Sequence, residues 1–280
     1  IQEALGEKDI QMLRRYIFIF EEYSTYLTPE QKLITMEFLM GYMMHSEEDI
    51  RKECSKLIGI LLAYYDENYT KELPERATIK YTVRTKYNKL KELLDHFLYN
   101  DERLTSAKRN RQITSYLQII KSLHFHVDLE FKIMLSELLC GYFEKKLDRF
   151  GLRFIIQSMS VLSSESIDQN LLNKIVEYLL SHLESDEGLR LLAVNQLRGM
   201  LNSELKNRLI PILLTHKQVL LAYFDQPKEM SEHYISMPIE AIFDIKRQLD
   251  FNHGQSRMFL SNLKTATFKT TKEAQIEILY

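Results

Sequence analysis

The stretch that decides the fold runs from Met36 to Leu62 and reads MEFLMGYMMHSEEDIRKECSKLIGILL. Apolar residues recur in it at spacings of three and four, with one short acidic turn between two such runs. This spacing is typical of two amphipathic helices joined by a turn. In the second run, Cys54, Ile58 and Leu61 share one helical face behind Arg51, so we expect that face to point into the core.

The same arrangement returns between Ile175 and Leu201. An apolar run is followed by an acid-rich turn, and a second run then opens on Arg190. Ala193, Leu197 and Met200 stand at the same offsets from Arg190 as the inward residues do from the first arginine. A helix pair that recurs along one chain indicates a repeat architecture.

Two weaker copies accompany this pair. One follows Arg153, with Ile156 at the small-residue offset, and the other lies around Arg111, where Thr114 and Gln118 interrupt the inward pattern. The layout resembles HEAT repeats and the broader HEAT/armadillo class of α-solenoids over residues 29 to 223. The resemblance implies an irregular right-handed superhelix with second helices along a concave face, and an array that binds other proteins. A compact helical bundle is the alternative.

Composition supports an all-α fold. The 280 residues include only 8 Gly and 5 Pro, 45% of the chain is apolar, and alternating strand-like runs are absent. The longest apolar run, Leu57 to Tyr65, has nine residues. Since a bilayer-spanning helix needs about 20, we expect a soluble protein without membrane insertion. Cys54 and Cys140 stand far apart in no metal-binding pattern, which favours a reducing, cytoplasmic location.

Residues that favour helix starts divide the chain further. Thr28 before Pro29 predicts an N-cap, and so do Ser46, Ser185 and Ser203. Helices should follow these caps to about residues 45, 65, 201 and 223. Further helices are predicted near 7–26, 86–99, 105–123, 128–146, 149–162, 167–183, 238–250 and 256–266.

Domain organisation follows from the rhythm of these helices. We expect a helical-repeat domain over residues 1–224 and a loop or linker over 225–238, where Pro227 and Pro238 enclose a segment of weak periodicity. Residues 239–280 then form C-terminal helices. Because the chain starts with Ile and stops within a helical pattern, we expect it to be a fragment of a longer protein.

The sequence contains none of the common catalytic signatures, including phosphate loops, nucleophile elbows and zinc-protease helices. The two cysteines fall on apolar helix faces, which is typical of inert thiols. His45, His182 and His216 fall near predicted helix C-termini, where an imidazole complements the dipole. We therefore predict a non-enzymatic module without cofactor or metal. An accessory helical domain of a larger enzyme is an alternative.

Basic residues concentrate in two places despite a formal net charge of −2. Between residues 71 and 111, eleven Lys and Arg face six acidic residues, and Arg76, Lys80 and Arg84 would align on one helical stripe. Near the C-terminus, Arg257 and Lys264 share a helical face with Ser261. Cations with hydroxyls suit phosphate, so nucleic-acid or phosphate binding is predicted there. Solvated helix faces are the alternative.

The leading hypothesis is a helical-repeat scaffold or regulatory module that mediates protein–protein interaction. Nucleic-acid binding through the basic stripe at 76–91 is the runner-up, and salt dependence separates the two. Neither hypothesis identifies the partner.

Overall fold

The structure, a computed structural model, describes residues 10–65, 75–99, 104–162, 167–216 and 219, with only the backbone described at 75–84, 184 and 187. Across these residues every regular element is a helix: ten α-helices and one short 3₁₀ helix. This confirms the all-α prediction. The chain divides into two compact units, Ile1–Leu162 and Ser163–Tyr280.

The described part of the first unit has seven helices. They are α1 Ile10–Glu22, α2 Pro29–Met40, α3 Glu48–Ala63, α4 Glu75–Tyr99, α5 Ser106–His126, α6 Leu129–Cys140 and α7 Arg149–Leu162. The second members of successive helix pairs pack on one another, α3 against α5 and α5 against α7. The first members α2 and α6 pack against α3 and α7 respectively, while α4 contacts α3 and α6. Helix α1 packs on α3.

The described part of the second unit has one more helix pair and a following helix. These are α8 Gln169–Ser181, the 3₁₀ helix His182–Glu184, α9 Glu187–Leu201 and α10 Lys206–Thr215. Helix α9 contacts α8 and α10, and α10 returns to α8. Arg208 secures that return because its guanidinium donates to the Ile167 carbonyl and, over 3.2 Å, to Gln169 Oε1.

The core contains the inward residues that the repeated pattern predicted. Cys54, Ile58 and Leu61 are fully buried in α3. Ala193 and Leu197 are fully buried at the matching positions of α9. The periodicity of three and four therefore identified the correct face in both helices.

Helices α3 and α5 approach each other closely at Gly59. A Cβ at this position would lie 2.6 Å from the Ile119 carbonyl oxygen and 2.7 Å from Ser122 Cβ. The α3 and α5 backbones are tied near this point because Ser122 Oγ donates to the Lys56 carbonyl over 2.8 Å. Ser115 Oγ donates to the Met43 carbonyl, in the turn before α3, over 2.7 Å. Glycine is thus required here for packing, since any side chain would separate the helices.

The structure reveals a closer internal repeat between α2 and α6, exactly one hundred positions apart in sequence. Both are helices of 12 residues, and the side chains of Thr28 and Asp128 accept from the backbone at the third helical residue. Both end at a glycine in right-handed helical conformation, Gly41 and Gly141. Shared residues are Glu30/Glu130, Lys32/Lys132, Glu37/Glu137, Leu39/Leu139, Gly41/Gly141 and Tyr42/Tyr142. Three helices, α3, α4 and α5, therefore lie between the related helices α2 and α6.

Both helices also end earlier than predicted. Helix α2 ends at Met40 rather than near residue 45, and α6 ends at Cys140 rather than near residue 146. The backbone then tightens, because Tyr42 and Tyr142 donate to the carbonyls of the leucines three residues before them. Bonds of this shorter type satisfy the last carbonyls of a helix.

The N-cap predictions were correct at one of four positions. Thr28 forms a capping box with Gln31, in which each side chain bonds the other's backbone N–H. Ser46 and Ser185 were wrong, because the caps lie one residue later at Glu47 and Asp186. Ser203 is not the cap of α10 either; its hydroxyl accepts from the Leu205 N–H over 3.2 Å and closes the preceding turn.

Helix α4 begins at Glu75, well before the predicted start at residue 86. The predicted linker 225–238 and the C-terminal helices over 239–280 lie outside the described residues, so that division of the chain stays a prediction.

Candidate interaction surfaces

One arginine position recurs at the start of the second helices. Arg51, Arg109 and Arg190 each stand four residues after the N-cap of their helix, and each backbone N–H donates to the carbonyl of that cap. The sequence had placed the copy in α5 around Arg111. The cap at Thr105 corrects the register to Arg109.

Arginines near this position connect one helix pair to the next. Arg111 Nη1 donates to the Met44 carbonyl in the turn between α2 and α3 over 3.3 Å. Arg153 Nη1 donates to Asn110 Oδ1 over 2.9 Å and so joins α7 to α5. Arg51, in contrast, binds its own turn through the carbonyls of His45 and Ser46. These contacts hold turns and neighbouring helices together, so they are structural.

Arg109 forms a buried polar junction that the sequence did not reveal. Its guanidinium bonds Asp148 Oδ2 over 2.8 Å and the Phe97 carbonyl over 3.2 Å. It also lies 5.5 Å from the centroid of the Phe97 ring and 5.6 Å from that of Phe150. Asp148 in turn accepts from the Gly151 N–H and so caps α7. One ion pair therefore fixes α4, α5 and the start of α7 together.

Several cations of the basic region at 71–111 thus have structural contacts. Besides Arg109, Lys89 pairs with Glu92 and Lys91 with Asp95. The pairs with Glu92 and Asp95 lie within the region and leave its net charge unchanged, whereas Asp148, from outside the region, neutralises Arg109. The excess of positive charge counted along the sequence is therefore reduced in the fold by the Arg109–Asp148 pair.

The structure describes only some of the predicted phosphate-binding residues. The backbone is helical from Glu75 onward, so positions 76, 80 and 84 fall along one side of α4. These are the positions of Arg76, Lys80 and Arg84. Arg257 and Lys264 lie outside the described residues. The two predicted regions therefore both remain predictions.

A different positively charged surface is formed by α5 and α7. On α5 the outward positions include Arg111, Thr114, Gln118 and Lys121. Neither the segment Ser106–His126 nor the segment Arg149–Leu162 contains a single Asp or Glu. The charge of this surface is therefore of one sign.

Helix α7 contributes the second row of this surface. Arg149, Arg153, Gln157 and Ser160 repeat at spacings of four, four and three, which places them on one side of the helix. The bond from Arg153 to Asn110 brings the two rows side by side. We call the joined rows the α5/α7 face; its cations are Arg111, Lys121, Arg149 and Arg153.

The neighbouring helix α3 presents no equivalent face. Helix α1 packs on it, and Arg14 lies 3.5 Å from Glu53 while Lys56 Nζ lies 2.5 Å from Glu21. Glu48 pairs with Lys52 on α3 itself over 2.7 Å. The acidic residues of α3 are thus met by nearby cations, and they leave the α5/α7 face positive.

A hydrogen bond between Tyr142 and Asp95 joins the turn after α6 to helix α4. The phenol donates to Asp95 Oδ1 over 2.6 Å, and Lys91 bonds the other carboxylate oxygen. Burial opposes ionisation of Asp95, but the hydrogen bonds from Lys91 and Tyr142 outweigh it and lower its pKa. Burial and the same bond raise the pKa of Tyr142. This contact is a structural link between helices.

Cysteine and histidine chemistry is limited in the described residues. Burial raises the pKa of the Cys54 thiol to about 12. The thiol is therefore protonated and unreactive at neutral pH. Burial lowers the pKa of His182 and of His124. Among the described residues no group of three His, Cys, Asp or Glu side chains is placed to hold a metal ion.

Comparison with known proteins adds no relative. No protein-family model, curated protein or solved structure matches the chain. Within the part of the chain that the structure describes, no helix is both long enough and apolar enough to cross a lipid bilayer.

Proposed function

We propose that the chain is a helical-repeat scaffold that binds a partner protein through its second helices. The observation that carries the proposal is the packing of α3, α5 and α7 on one another in chain order. Neighbouring repeats in solenoid proteins contact each other in this way, and their open surfaces are used for binding. The related helices α2 and α6 and the recurring arginines support the same interpretation, as does the resemblance to HEAT and armadillo repeats.

The test is site-specific photo-cross-linking in the native lysate. A photoreactive residue is placed at Gln118 on the second helix α5 or, as matched control, at Glu137 on the first helix α6; both lie at helix surfaces. We expect a discrete protein to cross-link from Gln118, with or without nuclease, and not from Glu137. Cross-links from neither position, or from Glu137 alone, would contradict the proposal.

Nucleic-acid binding through the stripe at 76–91 is the second candidate. It is favoured by the early start of α4, because one continuous helix now carries positions 76, 80 and 84. Reversing Arg76, Lys80 and Arg84 to Glu should then abolish binding of an oligonucleotide, and added salt should weaken it steeply. Binding that is indifferent to both changes rules this candidate out.

A further inference from the structure

The α5/α7 face is a surface of one charge whose chemistry points to a specific kind of partner. Its four cations are arranged in two adjacent rows with no acidic residue on either helix. Asp148, at the start of α7, is the nearest acid in sequence, and its carboxylate is bound by Arg109. Neither helix therefore supplies a carboxylate to the outward cations Arg111, Lys121 and Arg153.

The groups between the cations are amides and hydroxyls rather than rings. Asn110, Thr114 and Gln118 alternate along α5, and Gln157 lies one turn beyond Arg153 on α7. Side-chain amides both donate to and accept from a peptide backbone. Nucleic-acid surfaces typically offer successive aromatic rings on which bases stack, whereas the exposed ring of Phe125 lies at the end of this face, beyond Lys121.

An exposed aromatic residue marks one end of the face. Phe125 follows Lys121 by one helical turn, and 80% of its surface is exposed. An apolar side chain of a partner could pack there, at the end of a row of cations. The order of the groups along α5 is thus amide, cation, hydroxyl, amide, cation and ring.

We propose that the α5/α7 face binds an extended acidic polypeptide segment of the partner, with an apolar residue of that segment on Phe125. This inference rests on the proposed scaffold function and specifies its partner by charge. The guanidinium group of Arg153 is planar and matches carboxylates in two-pronged bonds. Lys121 adds a point charge between Arg153 and the ring.

Fluorescence anisotropy with three labelled probes tests the proposal. The first is a peptide of alternating glutamate and glycine ending in leucine, the second replaces each glutamate by glutamine, and the third is a thymidine oligonucleotide. We expect the glutamate peptide to bind, the glutamine peptide to bind at least about tenfold more weakly, and salt to weaken the glutamate complex. Equal binding of the two peptides overturns the proposal. So does tighter binding of the oligonucleotide to the same face.

Charge-reversed variants test whether the glutamate peptide binds at the α5/α7 face. The double variant Lys121→Glu with Arg153→Glu should weaken the glutamate peptide about tenfold or more. The control Arg15→Glu with Lys174→Glu makes the same change of charge at exposed positions on α1 and α8 and should leave binding unchanged. Lys121→Glu alone removes no polar contact that the structure describes, so a partial loss there excludes misfolding as the cause. Equal effects of the double variant and its control overturn the proposal.

The result is distinguishable from failure of the scaffold function. If the cross-linked partner still reacts at Gln118 in the Lys121→Glu, Arg153→Glu variant, the scaffold function stands and the acidic-segment proposal is wrong. If no partner cross-links at Gln118 in the unmodified chain, the scaffold function itself fails.

Discussion

The polar junction around Arg109 and the α5/α7 face lie on the same two helices, yet their arginines do opposite things. Arg109 is buried against two phenylalanine rings and paired with Asp148. Arg153 is half-buried, bonds the neutral Asn110 and belongs to a face whose two helices contain no Asp or Glu. The difference lies in whether another segment supplies a carboxylate within reach. Positive charge in a sequence thus indicates either packing or binding, and only the fold separates the two.

The largest expected effect comes from a substitution in the polar junction around Arg109. Arg109→Met keeps an unbranched apolar stem but leaves the Phe97 carbonyl and Asp148 without their donor. Asp148 is half-exposed, so water meets part of the loss; we expect about 2–3 kcal/mol of destabilisation in urea unfolding followed by circular dichroism. Arg153→Met, the matched control on the α5/α7 face, should cost less than about 1 kcal/mol. Similar costs for both would remove the distinction between junction and face.

The second prediction compares a glycine in a tight helix contact, Gly59, with a glycine at an open helix surface, Gly199. Gly59→Ala places a Cβ against the α5 backbone, which cannot yield without separating α3 from α5. We expect about 1–3 kcal/mol of destabilisation by the same measurement. Gly199→Ala is the control, since a Cβ on this α9 glycine meets no atom within 4 Å. There alanine should stabilise the helix by about 0.5–1 kcal/mol, and a loss at both positions would contradict the packing argument.

The repeat between α2 and α6 provides a third, smaller comparison. Tyr142→Phe removes the bond to Asp95 and should cost about 1 kcal/mol. Tyr42 occupies the equivalent position, and the structure shows its ring against Phe38 and His45 rather than a bond from its hydroxyl. Tyr42→Phe should therefore lie within about 0.5 kcal/mol of the unmodified chain. Equal losses at the two tyrosines would show that the contact with Asp95 does not stabilise the fold.

Sequence periodicity predicted the helices and their inward faces because burial of an apolar stripe is a local property. It placed the caps of α3 and α9 one residue early. At α9, serine and the aspartate after it are both good N-caps, and local pattern does not choose between them. At α3, the cap residue Glu47 makes no side-chain capping bond, so its side chain gives no capping signal. It missed the start of α4 at Glu75, where Thr78, Ile79 and Val83 lower the intrinsic helix propensity.

The binding face was less predictable. Counting charge along a window joined Arg109 to the exposed cations, although its partner Asp148 lies 39 residues away. The absence of acids from the segments Ser106–His126 and Arg149–Leu162 was visible in the sequence. What the sequence did not contain was the packing of α5 on α7, which turns two separate segments into one surface.

The smallest effect concerns pH and compares the buried histidines with exposed ones. His182 bonds Ser185 Oγ through Nδ1 and packs edge-on against Tyr178, and its Nε2 is buried without a partner among the described groups. Burial lowers the pKa of His182 from 6.5, although the charge of Asp186 acts in the opposite direction. Burial and the charge of Lys132 lower the pKa of His124.

Below pH 6.5 the unfolded chain therefore takes up protons that the folded chain does not. Stability should fall as the pH drops from 6.5 through the folded pKa values and level off below them, before carboxylates such as Asp95 begin to titrate. His182→Gln should flatten part of this decline in thermal unfolding between pH 7 and 5. His96→Gln, at an exposed position on α4, should leave it unchanged. If both variants follow the unmodified chain, the turn between α8 and α9 does not exclude the charged imidazole.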